Sequence, residues 1–204
     1  MTARSGLANL ITQLRGMTEA GTADYTIAGA AYWGDDALQS ALDRHRTDLV
    51  RSPLRAENEY VAGALEYHNY YARYDHLEEA ASGTPHWAVE DSAGLAQGTA
   101  DYTVNYDASV IRFTADTAGT AFYLTTHAFD LNAAAAEIWT RKAAHAASGY
   151  HFSADGATYS RQQVYDHCLQ MAALYKGSAP MKVSRLVRSD ARAATPKYAA
   201  ENED

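Results

Sequence analysis

Eight histidines and two pairs of adjacent acids have the chemistry to hold a metal or move a proton. Metal sites on helices show as His at i and i+4, or as His-Glu-x-x-His, because that spacing puts two imidazoles on one face. No such string falls on an expected helix. His145 and His151 lie across the Ser148-Gly149 stop, and His167 belongs to another helix. His68 and His76 flank Asp75 in a tyrosine-rich strand and turn, where proximity would give a surface site. Scattered polar or interface histidines explain the set better. Asp35-Asp36 and Glu78-Glu79 are the paired acids. Adjacent residues on a helix do not face one another, so these read as capping and solvated charges, not a general acid and base.

Nucleophilic chemistry is no better marked. Cys168 is the single cysteine, which excludes an intrachain disulfide framework and a Cys-rich zinc site. Within Tyr165-Asp166-His167-Cys168-Leu169 it reads as a buried structural thiol. No Gly-x-Ser-x-Gly elbow marks a serine. Gly16, Gly21, Gly29 and Gly34 have no following Lys-Ser or Lys-Thr, so no phosphate loop is present. The expectation is a protein that is not an enzyme, with no catalytic, cofactor-binding or metal-binding residues.

The elements that would carry these residues follow from periodicity. Leu7, Leu10, Ile11 and Leu14 recur at helical spacing up to Gly16. A second helix carries Leu38, Ala41, Leu42, His45 and Leu49, opens at Asp35 or Asp36 as a cap, and closes at Pro53 and the polar run 55–59. From Tyr60 the period falls to two: Leu65, Tyr67, Asn69 and Tyr71 alternate with Glu66, His68 and Tyr70. Short strands follow at 86–90, 102–106, 110–114 and 121–126, at the spacing of an antiparallel meander. Helix returns at Asp130 with an alanine stripe through Ala146. A last helix, capped by Ser160, places Val164, Cys168, Met171, Ala172 and Tyr175 on one face before Gly177. The expected helical core is Leu38, Leu42, Ile138, Trp139, Val164 and Met171.

The expected fold class is α+β: about four helices in a small bundle, interrupted by an antiparallel β-meander insertion, with an extended C-terminal arm. The parts are an N-terminal helical segment at 1–59, the β insertion at 60–128, a second helical segment at 129–177 and a basic arm at 178–204. Such a length buries one proper core, and 47% apolar with 21% charged residues is an ordinary globular composition. The N-terminus lacks a signal-peptide pattern and no run reaches the length of a membrane span, so the expectation is a soluble protein of a reducing compartment.

Charge divides the chain. Residues 176–200 hold six Lys and Arg against Asp190 alone, whereas residues 1–175 hold eleven against twenty-one acids. A net charge of −8 argues against a general nucleic-acid binder, though an acidic surface lets DNA slide past without sticking. In the arm, Val183, Leu186 and Val187 supply apolar contacts, and Lys182, Arg185, Arg188 and Arg192 supply charge for an acidic partner. Fifteen tyrosines suit half-buried interfaces or β structure equally. Trp87 with Tyr67, Tyr70, Tyr71 and Tyr74 would suit a β-meander module binding glycan or a host surface; core filling is the simpler use.

Several strings together resemble the head–tail connector (adaptor) proteins of tailed bacteriophages. They are Leu10-Ile11-Thr12-Gln13-Leu14-Arg15, Tyr32-Trp33-Gly34-Asp35-Asp36-Ala37-Leu38-Gln39 and Asp130-Leu131-Asn132-Ala133-Ala134-Ala135. Tyr102-Thr103-Val104-Asn105-Tyr106-Asp107 to Ile111-Arg112-Phe113-Thr114 also looks like β modules of phage structural proteins. The resemblance runs over roughly residues 7–188. It implies a structural virion protein at the neck, assembled in the host cytoplasm. There it would form a ring, usually twelvefold, that joins portal to tail. Its implied partners are the portal protein, tail or neck proteins, further copies of itself, and DNA that passes without sequence-specific binding; no membrane is involved. The arm is then a portal-docking element. A capsid accessory protein is the other structural alternative.

Overall fold

The computed structural model describes residues 3–21, 26–27, 30–61, 63–80, 86–147, 152–154, 157–159 and 161–178. A 3₁₀ turn, Ser5–Leu7, leads into α1 (Ala8–Thr18), which buries Leu10, Ile11, Leu14 and Thr18 on one face. The helix runs past Gly16 and stops where Glu19 takes a left-handed conformation, φ 49°. A two-residue hairpin, β1 (Thr26–Ile27) with β2 (Ala30–Ala31), follows. Helix α2 (Asp35–Arg44) starts after Gly34 rather than after an acidic cap. Asp35 and Asp36 lie in its first turn, where carboxylates interact favourably with the helix dipole.

The β part begins earlier than the hydrophobic period suggests. Strand β3 (Arg46–Pro53) follows α2 directly and contains Leu49, and β4 (Arg55–Val61) contains the polar run. Then come β5 (Ala64–Tyr71), β6 (Ala88–Asp91), β7 (Tyr102–Asn105), β8 (Val110–Phe113) and β9 (Phe122–Phe129). They form two antiparallel sheets, β3-β9-β6 and β4-β5-β8-β7, so β9 pairs with two strands distant in sequence. A bulge between Leu49 and Ser52 holds Arg51 at φ 46°.

Helix α3 (Leu131–Ala147) opens with Asp130 as its cap, the carboxylate accepting from Ala133 N–H at 2.9 Å. The small hairpin β10 (Phe152–Ala154) with β11 (Ala157–Tyr159) precedes α4 (Arg161–Gly177). The fold is therefore α+β, with four α-helices and antiparallel sheets among the described residues. None of the described helices is long and apolar enough to cross a membrane. The entrance and exit of the β part are stitched together, since Asp130 N–H donates to His45 C=O at 3.1 Å.

Two principal cores result. The helical one joins Leu7, Leu14, Trp33, Leu38, Leu42 and Ile138, with Ala134 and Ala135 letting the other helices come close to α3. The β core joins Tyr70, Ile111, Phe113, Phe122 and Leu124. A smaller cluster of Trp139, Ala143, Cys168 and Ala172 seats α4 on α3. Of the expected helical core, Leu38, Leu42, Ile138 and Trp139 are buried and Met171 is half-buried, but Val164 is exposed because α4 buries only a narrow stripe. Burial raises the Cys168 thiol above its ordinary value although Lys142 pulls the other way, as suits a structural cysteine.

Candidate functional site

Among the described residues, strand β9 gathers a concentrated group of ionisable side chains. On one edge it pairs with β3, which sets Asp48 opposite His127. The other edge is covered in two instalments. The segment around Leu77 bridges to Ala128, with Glu78 N–H donating to His127 C=O at 2.9 Å and Phe129 N–H to His76 C=O at 3.1 Å. Later in the chain, β6 takes up the same edge with Ala88 opposite Thr125. Continued by two residues, that register brings His86 level with His127. The break in the edge thus gathers Glu78, His86 and His127 at one place.

Glu78 is only 1% exposed, unlike the solvated acid its sequence context suggests. Its Oε2 lies 2.9 Å from His127 Nδ1 and 3.4 Å from His86 Nε2. Its Oε1 accepts from Arg4 Nε at 3.0 Å. Asp43 in turn accepts from both terminal nitrogens of Arg4, at 2.6 and 3.2 Å. Burial opposes the charge on Arg4, but Asp43 and Glu78 outweigh it and hold the guanidinium protonated. Asp48 Oδ1 stands 3.4 Å from the other ring nitrogen of His127. The rings of His86 and His127 stack, centroids 3.9 Å apart at 26°. One suitable atom from each of Glu78, His86 and His127 lies within 4.8 Å of the others, so the trio has the composition of a metal-ligand set.

Nothing local announced this site: the three residues are 8 and 41 positions apart, and only the pairing of β9 brings them together. The signal that existed was His86 at the start of the expected strand 86–90, eight positions after Glu78. His68 and His76, considered from sequence, are not joined; His68 is held by Glu66 at 2.9 Å and by Phe113 C=O at 3.2 Å. Another ion-pair group marks the seam between the halves. Glu137 on α3 meets Arg44 at 2.7 Å, His45 at 3.0 Å and Arg141 at 2.7 Å. Burial alone would raise its carboxyl, but the hydrogen bonds from Arg44 and His45 and the charges of Arg44 and Arg141 bring it below its ordinary value.

A surface of another kind projects from the second sheet. β4 pairs with β5 over 55–71, yet β8 pairs only with Asn69–Tyr71 of β5. Tyr67 N–H donates to Asp116 and its C=O accepts from Thr117; beyond that residue the hairpin is a two-stranded ribbon, and all of β4 is exposed. Tyr60 is 73% exposed, Leu65 54% and Val61 36%. Glu59 sits directly opposite Glu66, a like-charge pairing that weakens the ribbon. The aromatics considered for sugar stacking divide differently: Tyr70 is fully buried, and Trp87 and Tyr74 pack against the β core. The arm residues Lys182, Val183, Arg185, Leu186, Val187, Arg188 and Arg192 lie outside the described residues, as does Ser160. Compared with known proteins, the chain matches no family model, no curated protein and no solved structure.

Proposed function

We propose that the protein is a non-enzymatic ring subunit of a tailed-bacteriophage neck, joining the portal to the tail and letting DNA pass. The observation that carries this reading is the β4–β5 ribbon. A two-stranded ribbon is marginal in water, and this one adds an unpaired edge, an apolar tip and opposed glutamates. Such an element gains stability when a neighbouring subunit covers it. Contact between the ribbon and a different surface of the next copy is heterologous, and heterologous contacts close into rings when their rotation permits. The acidic balance of residues 1–175 and the sequence resemblance to connector proteins point the same way.

The basic arm docks on the portal in this reading, with Arg185, Arg188 and Arg192 pairing acidic groups. Electron microscopy of virions is expected to place the protein directly below the portal; a position on the capsid exterior or at the tail tip contradicts the proposal. Deleting residues 178–204 is expected to abolish portal binding while leaving the circular dichroism spectrum intact. Loss of DNA affinity alone would instead assign the arm to the channel.

A further inference from the structure

We propose that Glu78, His86 and His127 form a binding site for one divalent transition-metal ion of the zinc class, tying Glu78 and His86 to β9. The donor set is one carboxylate and two imidazoles, which suits zinc and its neighbours rather than magnesium or calcium. Tetrahedral zinc with bonds of about 2.0–2.1 Å separates its donors by about 3.3 Å. The carboxylate-to-imidazole separations of 2.9 and 3.4 Å already bracket that spacing.

The surroundings orient the donors. With Nδ1 of His127 on the metal, its Nε2 is left 3.4 Å from Asp48, a carboxylate that a small shift would bring into the relay that orients and strengthens such a ligand. Glu78 offers Oε2 while Arg4 keeps Oε1, so the carboxylate cannot swing away. Asp43, Asp48 and Glu78 outnumber Arg4 and Arg46, the latter 2.7 Å from Asp48, by one charge, so the cluster is net acidic before an ion binds.

One adjustment is needed. In the stacked pair the in-plane lone pairs run side by side and do not meet at a point. His86 is the ring that turns. Its Nε2 is buried yet makes no well-directed hydrogen bond among the described residues, the 3.4 Å approach to Glu78 being poorly aligned. His127, by contrast, belongs to a central strand and faces a carboxylate at each nitrogen. Three protein ligands leave a fourth position for water.

The test uses the full, untagged chain after treatment with a chelator, titrated calorimetrically with Zn²⁺. One equivalent is expected to bind and to raise the melting temperature, Co²⁺ to give tetrahedral d–d bands, and Mg²⁺ and Ca²⁺ to do neither. Asp48→Asn is expected to weaken Zn²⁺ binding about tenfold, and loss of a direct ligand in His127→Ala at least about 100-fold. His86 lies outside both hydrophobic cores with its side chain 25% exposed, so His86→Ala is expected to keep the fold and must show the same large loss. Absence of Zn²⁺ binding by the wild type, or unchanged binding by His86→Ala, overturns the proposal. The site stands on geometry independent of the ring reading.

Discussion

The helical core and the β part solve opposite problems. Around α1, α2 and α3 the buried residues are nearly all aliphatic or aromatic, and the charged groups stay at the rim. The β part has its own aromatic core but also buries Glu78, gathers two histidines beside it, and sends a ribbon beyond its sheet. A polar group taken out of water must be compensated, and an uncovered edge invites a partner. In the proposed reading, the helices carry stability and the strands recognition.

The largest expected effect tests the helical side. Trp139 is 3% exposed, donates from Nε1 to Met17 C=O at 3.2 Å and supports α4 through Cys168 and Ala172. Trp139→Ala is expected to cost about 3–5 kcal/mol in chemical denaturation. A cost under about 1 kcal/mol would move the stabilising weight away from the α3–α4 contact.

A smaller effect tests the seam. Because Glu137 has a lowered folded-state value, its stabilisation is fully present above the ordinary glutamate range of about 4.3 and is lost as pH falls through the folded value. Glu137→Gln is expected to cost about 1 kcal/mol or less at pH 7, as befits a partly exposed pair. The gap between variant and wild-type melting temperatures is expected to close as the pH is taken below 4.3. A gap that is constant across that range would show that packing, not charge, is what the substitution disturbs.

The same contrast explains what was legible in the sequence. Helices announce themselves through apolar residues three and four apart, and α1, α3 and α4 lie close to where Leu10, Ile138 and Cys168 place them. Leu49 extended the stripe of α2 falsely, since a strand residue can fall on a helical spacing by chance; it faces the β core from β3. Strand β4 was invisible because every residue in it is exposed, so no alternation between faces exists to be read. Val164 fits the α4 stripe but lies at its margin, where α3 does not reach. The cluster of Glu78, His86 and His127 depends on a broken edge strand, a long-range pairing that local patterns do not encode.

The ribbon carries the smallest expected change in stability and the sharpest test of the central claim. Tyr60 and Leu65 face each other across the hairpin and are exposed, so Tyr60→Asp with Leu65→Asp is expected to alter monomer stability by only about 0.5 kcal/mol. The decisive measurement is electron microscopy of wild type and this double variant, each mixed with the portal. A closed ring of wild-type subunits beneath the portal, with no ring from the folded variant, is the expected result. Rings from both proteins, or from neither, would contradict a ribbon-mediated neck ring.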